Sequence, residues 1–116
     1  MNSIHQKRSD DAPLRGKKLG ILISAGPKEN GFRHGLRLAA AALEEGVDVY
    51  VYCLDEAVAG LNERELQHLR EAGLKLYACA YGALRRSIAC GDEAVFAGLT
   101  VLSDIIASTD RFLSFC

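Results

Sequence analysis

The stretch LKLYACAYGALRR, from Leu74 to Arg86, begins as an apolar, strand-like run and changes into a helical pattern at Cys79. A thiol at such a junction faces the free backbone N–H groups and the positive dipole end of the following helix, and both favour thiolate over thiol. Because thiolate is the form that attacks sulfur, Cys79 is a candidate nucleophile. The alternative is a small buried core residue, which is what most cysteines in soluble proteins are.

The sequence on both sides of this stretch continues the alternation of strand and helix. Apolar runs rich in β-branched and aromatic residues predict strands, and apolar residues at helical spacing predict the helices between them. The predicted strands are Leu19–Ser24, Val47–Leu54, Leu74–Ala78 and Arg111–Phe115, with a short extra strand within Asp92–Ala97. The predicted helices begin near Asn30, Asn62, Ala80 and Leu99 and end near Glu45, Ala72, Ala89 and Ala107. This alternation predicts a three-layer α/β/α fold with a mostly parallel sheet of four or five strands.

Residues that are typical of helix caps predict the ends of two of these helices. Asn30 is the predicted N-cap of the first helix, and Gly46 is its stop. Asn62 is the predicted N-cap of the second, with Glu65 three residues later as its capping-box partner and Gly73 as the stop.

Length and composition describe a single domain. Of the 116 residues, Met1–Gly16 are polar and without periodicity and are predicted to be a mobile tail, followed by one domain over Lys17–Cys116. A net charge of -1 argues against a binder of nucleic acid or membrane surfaces. No apolar run approaches the roughly 20 residues that span a bilayer. Because the first residues also lack the apolar core of a secretory signal, we expect a cytoplasmic protein.

The spacing of the cysteines argues against a metal site. The four cysteines, Cys53, Cys79, Cys90 and Cys116, are expected to be free thiols in a reducing compartment. None forms a CxxC pair and the three histidines are scattered, so no metal site is predicted. The sequence gives no reason to expect a cofactor.

Three features lie at the carboxyl ends of predicted parallel strands, which is the edge where such sheets place their sites. They are the loop at Gly26 and Pro27, Cys53 and Cys79. The loop either shapes a pocket beside Cys79 or is a plain structural turn. Cys53 is either a second reactive or resolving thiol or, as its neighbours favour, a packed strand residue.

The helix after Cys79 carries three further candidate binding residues. Arg86 lies seven residues past Cys79, close to two helical turns, so it can share the face of the cysteine. Arg85 and Arg86 either stabilise a sulfur anion or dock an acidic partner, the alternative being a solvated face or a salt bridge between subunits. Tyr81 is expected to line the pocket or a subunit interface.

The order of these segments resembles a known family. A first strand ends in Gly26-Pro27, an alanine-rich helix leads to a second strand, CAYGALRR follows, and the chain closes with GLTVLSDIIASTDRFLSF. From about Lys17 to Phe115 this is similar to the DsrE/DsrF/TusD-type family of small sulfur-relay proteins, which share a YchN-like fold. The segment from the cysteine to the double arginine is the most specific part of the resemblance.

The resemblance implies a sulfurtransferase-like carrier that needs no cofactor. By position, Cys79 would accept a sulfane sulfur as a persulfide and pass it to a cysteine of a partner protein, and Arg85 and Arg86 match the double arginine of the family. The implied partners are sulfur donor and acceptor proteins, with the chain in a homo- or hetero-oligomer, a trimer or hexamer. Two alternatives stay open: a non-catalytic assembly subunit of the same fold, and a thiol redox sensor that uses Cys79 and Cys53.

Overall fold

The computed structural model describes residues 13–116, which form five strands, four α-helices and one 3₁₀ helix. The strands are β1 (Lys18–Ile23), β2 (Asp48–Cys53), β3 (Lys75–Cys79), β4 (Val95–Ala97) and β5 (Arg111–Phe115). The α-helices are α1 (Asn30–Glu44), α2 (Arg64–Glu71), α3 (Ala80–Arg85) and α4 (Leu99–Ser108), and the 3₁₀ helix is Asp55–Gly60.

The strands form one sheet in the order β4-β3-β2-β1-β5, and every neighbouring pair is parallel. The predicted α/β architecture is therefore confirmed. Because each parallel pair needs a crossover, the helices fall on the two faces of the sheet, and the carboxyl ends of all five strands meet along one edge.

One face of the sheet holds the main core. Successive residues of a strand point to opposite faces, so Ile21, Ile23, Val51, Cys53 and Ala78 share this face with their register partners. All five are fully buried. Helix α1 packs on this face, and α2 lies beside α1. We call this face the core face.

The other face carries tyrosines and Cys79. Tyr52 on β2 pairs with Tyr77 on β3, and Cys79 follows two residues after Tyr77, so their side chains emerge together. Helices α3 and α4 are the elements on this side. Helix α4 approaches closely at Gly20, where a Cβ would lie 3.0 Å from the side chain of Ile105. We call this face the thiol face.

The structure corrects both predicted N-caps. The N-cap of α1 is Glu29 and not Asn30, which is already the first helical residue. The N-cap of α2 is Glu63 and not Asn62, so the helix begins one residue later than the predicted capping box requires. Glu65 instead accepts a hydrogen bond from Arg33 at 3.2 Å, because its side chain finds a cation on the neighbouring helix. The stops at Gly46 and Gly73 are confirmed, each with positive φ.

Helix α3 is shorter than the predicted span of Ala80–Ala89. It ends at Arg85 because Arg86 is its C-cap and Ser87 takes a left-handed conformation with φ of 55°. The predicted strand within Asp92–Ala97 is present as β4. The 3₁₀ helix after β2 was not predicted.

The predicted tail is Met1–Gly16, and its residues 1–12 lie outside the described part of the chain. Residues 13–16 form a turn in which the N–H of Gly16 donates to the carbonyl of Gly46 at 3.0 Å. Over residues 13–116, no helix has the length and apolar character needed to cross a membrane.

Candidate functional site

Cys79 ends β3 and is at the same time the N-cap of α3. Its side chain accepts a hydrogen bond from the backbone N–H of Gly82, at 3.2 Å between N and Sγ. Sulfur thereby takes the place of the side-chain oxygen that usually satisfies a free N–H in the first turn of a helix. The first turn of α3 lies directly over the thiol, since a Cβ at Gly82 would be 3.6 Å from Sγ.

The thiol lies at the floor of a cavity of about 450 Å³, which we call the Cys79 cavity. Cys79 is only 5% exposed, and it is one of the residues that line this cavity. The cavity is lined by Leu54, Asp55, Cys79, Tyr81, Gly82, Arg85, Arg86, Gly98 and Leu99. These residues come from the carboxyl ends of β2 and β3, from α3 and from the start of α4.

The two arginines of the cavity have different environments. Arg86 donates to the carbonyl of Gly82 at 3.3 Å and forms an ion pair with Glu56 at 3.1 Å. Arg85 is exposed, with its guanidinium carbon 5.8 Å from the ring centroid of Tyr81. Arg86 is therefore held in place against α3 and the 3₁₀ helix, while Arg85 lies at the mouth of the cavity.

Large exposed side chains lie along α3 and at the start of α4, the two helices that contribute to the cavity. Tyr81 is 65% exposed, Leu84 75% and Leu99 61%. Exposed side chains of this size, grouped around a cavity and beside an arginine, are typical of surfaces that contact another protein.

Cys53 is separated from Cys79 by the sheet. Its register partner on β3 is Ala78, so its side chain points to the core face whereas that of Cys79 points to the thiol face. Burial raises the pKa of the Cys53 thiol to about 12. These observations favour packing for Cys53 and give no support to a direct disulfide with Cys79. Both cysteines are free thiols.

Gly26 and Pro27 do not line the Cys79 cavity. They lie behind the 3₁₀ helix: a Cβ at Gly26 would be 3.5 Å from Glu56, and one at Gly60 would be 3.0 Å from Pro27. The loop therefore supports the 3₁₀ helix, whose residue Asp55 forms part of the cavity. Cys90 and Cys116 are exposed and are not among the residues that line the cavity.

Several residues of the site were not predicted from the sequence. Leu54, Asp55, Gly98 and Leu99 line the cavity because the 3₁₀ helix and the β4–α4 junction close around Cys79. Tyr52, beneath them, donates from its hydroxyl toward the carbonyls of Ala97 and Gly98. The period of two along VDVYVYC places Tyr52 on the face opposite Cys53, which is the signal that could have identified it.

A second cavity of about 450 Å³ lies at the opposite, amino-terminal ends of the strands. Its walls are mainly aliphatic, with Leu19, Leu38 and Val47 among them, and charged residues stand at its rim. It contains no cysteine, so the chemistry of interest belongs to the Cys79 cavity. Within residues 13–116, no group of three or more histidine, cysteine, aspartate or glutamate residues could hold a metal ion.

Comparison with known proteins shows the family of the chain and agrees with its fold. The model of the DsrE/DsrF-like family matches residues 17–115, and the chain belongs to this family. Among solved structures it is similar to the YchN protein from E. coli, with a TM-score of 0.72 and 20% identity over 86% of this chain and 99% of that one. It is also similar to the conserved protein of unknown function BT1422 from Bacteroides thetaiotaomicron, with a TM-score of 0.68 and 16% identity over 85% and 95%. At these identities the likeness shows the fold, and no curated protein matches the chain.

Proposed function

We propose that this chain is a sulfur-relay protein that carries a sulfane sulfur as a persulfide on Cys79. The observation that supports this most directly is a cysteine thiol at the floor of an open cavity, hydrogen-bonded to a backbone N–H, in a DsrE/DsrF-like chain. The family is associated with sulfur relay.

The proposed transfer is an exchange between sulfurs without net oxidation. The Cys79 thiolate attacks the outer sulfur of a donor persulfide, R–S–SH. A bond forms between Sγ and that sulfur, the S–S bond of the donor breaks, and the donor leaves as R–S⁻ with the electron pair. An acceptor thiolate then attacks the outer sulfur of the Cys79 persulfide in the same way and restores the Cys79 thiolate.

The two arginines take different parts in this proposal. Arg86 is held beside the thiol by its hydrogen bond to Gly82 and its ion pair with Glu56. Its positive charge lowers the free energy of a sulfur anion in the cavity. Arg85, at the mouth with Tyr81, Leu84 and Leu99, contacts the donor or acceptor protein. We place this exchange in the cytoplasm, with the chain in a homo- or hetero-oligomer of the trimer or hexamer type.

A second candidate is a non-catalytic assembly subunit. The exposed apolar side chains around the cavity favour it, because a surface of this kind serves assembly whether or not Cys79 reacts. A redox sensor that pairs Cys79 with Cys53 has less support, since the two side chains leave the sheet on opposite faces.

The test is the intact mass of the reduced protein after incubation with a sulfane-sulfur donor. We expect wild type to gain one sulfur, about 32 Da, and to lose it to a thiol acceptor. The matched control is Cys90→Ser, which removes an exposed cysteine outside the cavity and should keep the gain, while Cys79→Ser should abolish it. A gain that persists in Cys79→Ser would contradict the proposal, and no gain in wild type would favour the assembly subunit.

A further inference from the structure

Tyr52 is a buried tyrosine whose ring crosses the thiol face of the sheet from β2 toward β4. Its side chain is fully buried. In register, Tyr52 lies beside Tyr77 on β3, and Tyr77 lies beside Val95 on β4. The hydroxyl nevertheless reaches the end of β4, where it lies 3.0 Å from the carbonyl oxygen of Ala97 and 3.2 Å from that of Gly98.

This position brings the hydroxyl next to the Cys79 thiol. Ala97 is the register partner of Cys79, so a group bonded to the Ala97 carbonyl on this face lies beside the side chain of Cys79. Burial, followed by the charge and hydrogen bonding of the neighbouring Cys79, raises the pKa of Tyr52 to about 12. The hydroxyl therefore keeps its proton at neutral pH and remains a hydrogen-bond donor.

The hydroxyl has one proton and two carbonyl acceptors at similar distances. A hydrogen shared between two neutral acceptors bonds each of them weakly. A hydrogen bond from the same hydroxyl to an anionic acceptor is shorter and stronger. A hydroxyl that turns toward the sulfur directs the positive end of its O–H dipole at that atom, which favours a sulfur anion.

We propose that Tyr52 is the side-chain donor that stabilises the anionic sulfur of Cys79, bonding the carbonyls of Ala97 and Gly98 when the thiol is neutral and turning to the sulfur when it is charged. The proposal rests on the proposed function for its purpose, since both thiolate and persulfide are anions. No covalent bond changes and the phenolic proton stays on oxygen. With the N–H of Gly82 on the other side, the sulfur would then have two donors.

Other charged or titratable groups face the same cavity and contribute to its pH dependence. They are Asp55 from the 3₁₀ helix and Tyr81, Arg85 and Arg86 from α3. The test therefore changes only the phenolic hydroxyl and leaves these groups in place.

The test is the pH profile of alkylation of Cys79 in Tyr52→Phe, made in a background in which the exposed Cys90 and Cys116 are replaced by serine. We expect the pH of half-maximal alkylation to rise by about one unit, so that alkylation near neutral pH slows about tenfold. Tyr50→Phe is the matched control, because Tyr50 lies two residues earlier on the same strand and face, and its profile should equal that of the background protein. A Tyr52→Phe variant with a lower Tm and an unchanged midpoint would show a purely structural role and overturn the proposal.

A second variant keeps the test decisive if Tyr52→Phe does not fold. Site-specific 3-fluorotyrosine at position 52 keeps the ring and makes the hydroxyl a stronger donor, so the midpoint should fall, and an unchanged or raised midpoint would overturn the proposal. Sulfane loading of wild type is measured separately. A protein that fails to load while its alkylation midpoint still responds to position 52 would refute the relay function and leave the role of Tyr52 intact.

Discussion

Cys53 and Cys79 end neighbouring parallel strands of one sheet, yet their surroundings differ in almost every respect. Cys53 shares the core face with Ala78, is fully buried, and has a thiol pKa raised to about 12 by burial. Cys79 points to the thiol face, accepts a hydrogen bond from Gly82 and opens to a cavity. Cys53 and Cys79 therefore differ because side chains alternate between the two faces of the sheet: one is packed in the core and the other lines a cavity.

The two faces differ in the same sense. The core face is covered by the 15-residue helix α1, with α2 beside it, and is filled by fully buried aliphatic side chains. The thiol face has the six-residue helix α3 and the ten-residue helix α4, and only one residue of α4, Ile105, is buried. We infer that stability comes mainly from the core face, which leaves the thiol face available for chemistry and contact.

The largest expected effect is a difference in stability between two truncations to alanine. Phe32→Ala, at a fully buried position of α1, should lower the free energy of unfolding by about 3–5 kcal/mol. Leu84→Ala, at a position of α3 that is 75% exposed, should change it by less than about 0.5 kcal/mol. Urea unfolding of both variants measures the difference. Equal losses would contradict the division between the faces, and a loss in Leu84→Ala that depends on protein concentration would show that Leu84 is buried in an assembly.

A smaller effect is expected in alkaline solution and belongs to Cys53. Its thiol pKa is raised from 9.0 to about 12 in the folded chain, so the folded state holds a proton that the unfolded state releases above pH 9. The stabilisation is complete well below pH 9 and is lost as the pH rises from 9 toward 12, by about 1.4 kcal/mol at pH 10. Comparing Cys53→Ala with wild type by urea unfolding isolates it, because the stability difference between them should shrink by this amount from pH 8 to pH 10. A difference that stays constant would mean that Cys53 is not buried as described.

The strands were the part of the fold that the sequence predicted most closely. The apolar run after Lys17 gave β1 to within one residue, and Arg111–Phe115 matches β5 at both ends. These runs are buried or paired along their whole length, so their apolar composition predicts where each strand begins and ends. Helix ends were less predictable, because Glu29 and Glu63 occupy N-cap positions without a side-chain cap hydrogen bond and the asparagines beside them carried the stronger local signal.

The candidate site was predictable only where it is local in sequence. Cys79, Tyr81, Arg85 and Arg86 come from one short stretch and line one cavity. Tyr52 approaches Cys79 only through the register of three strands. The register between strands depends on residues that are far apart in the sequence, so no single stretch predicts that Tyr52 lies near Cys79.

The most direct test of the difference between the two faces is alkylation of the native chain at neutral pH, followed at each cysteine by peptide mapping. We predict that Cys79 is modified in the folded state at least about a hundredfold faster than Cys53, which reacts only when the core opens. In denaturant the two should react at similar rates, which controls for the chemistry of the reagent. Labelling of Cys53 as fast as Cys79 in the native chain, or labelling of Cys79 only upon unfolding, would contradict the account.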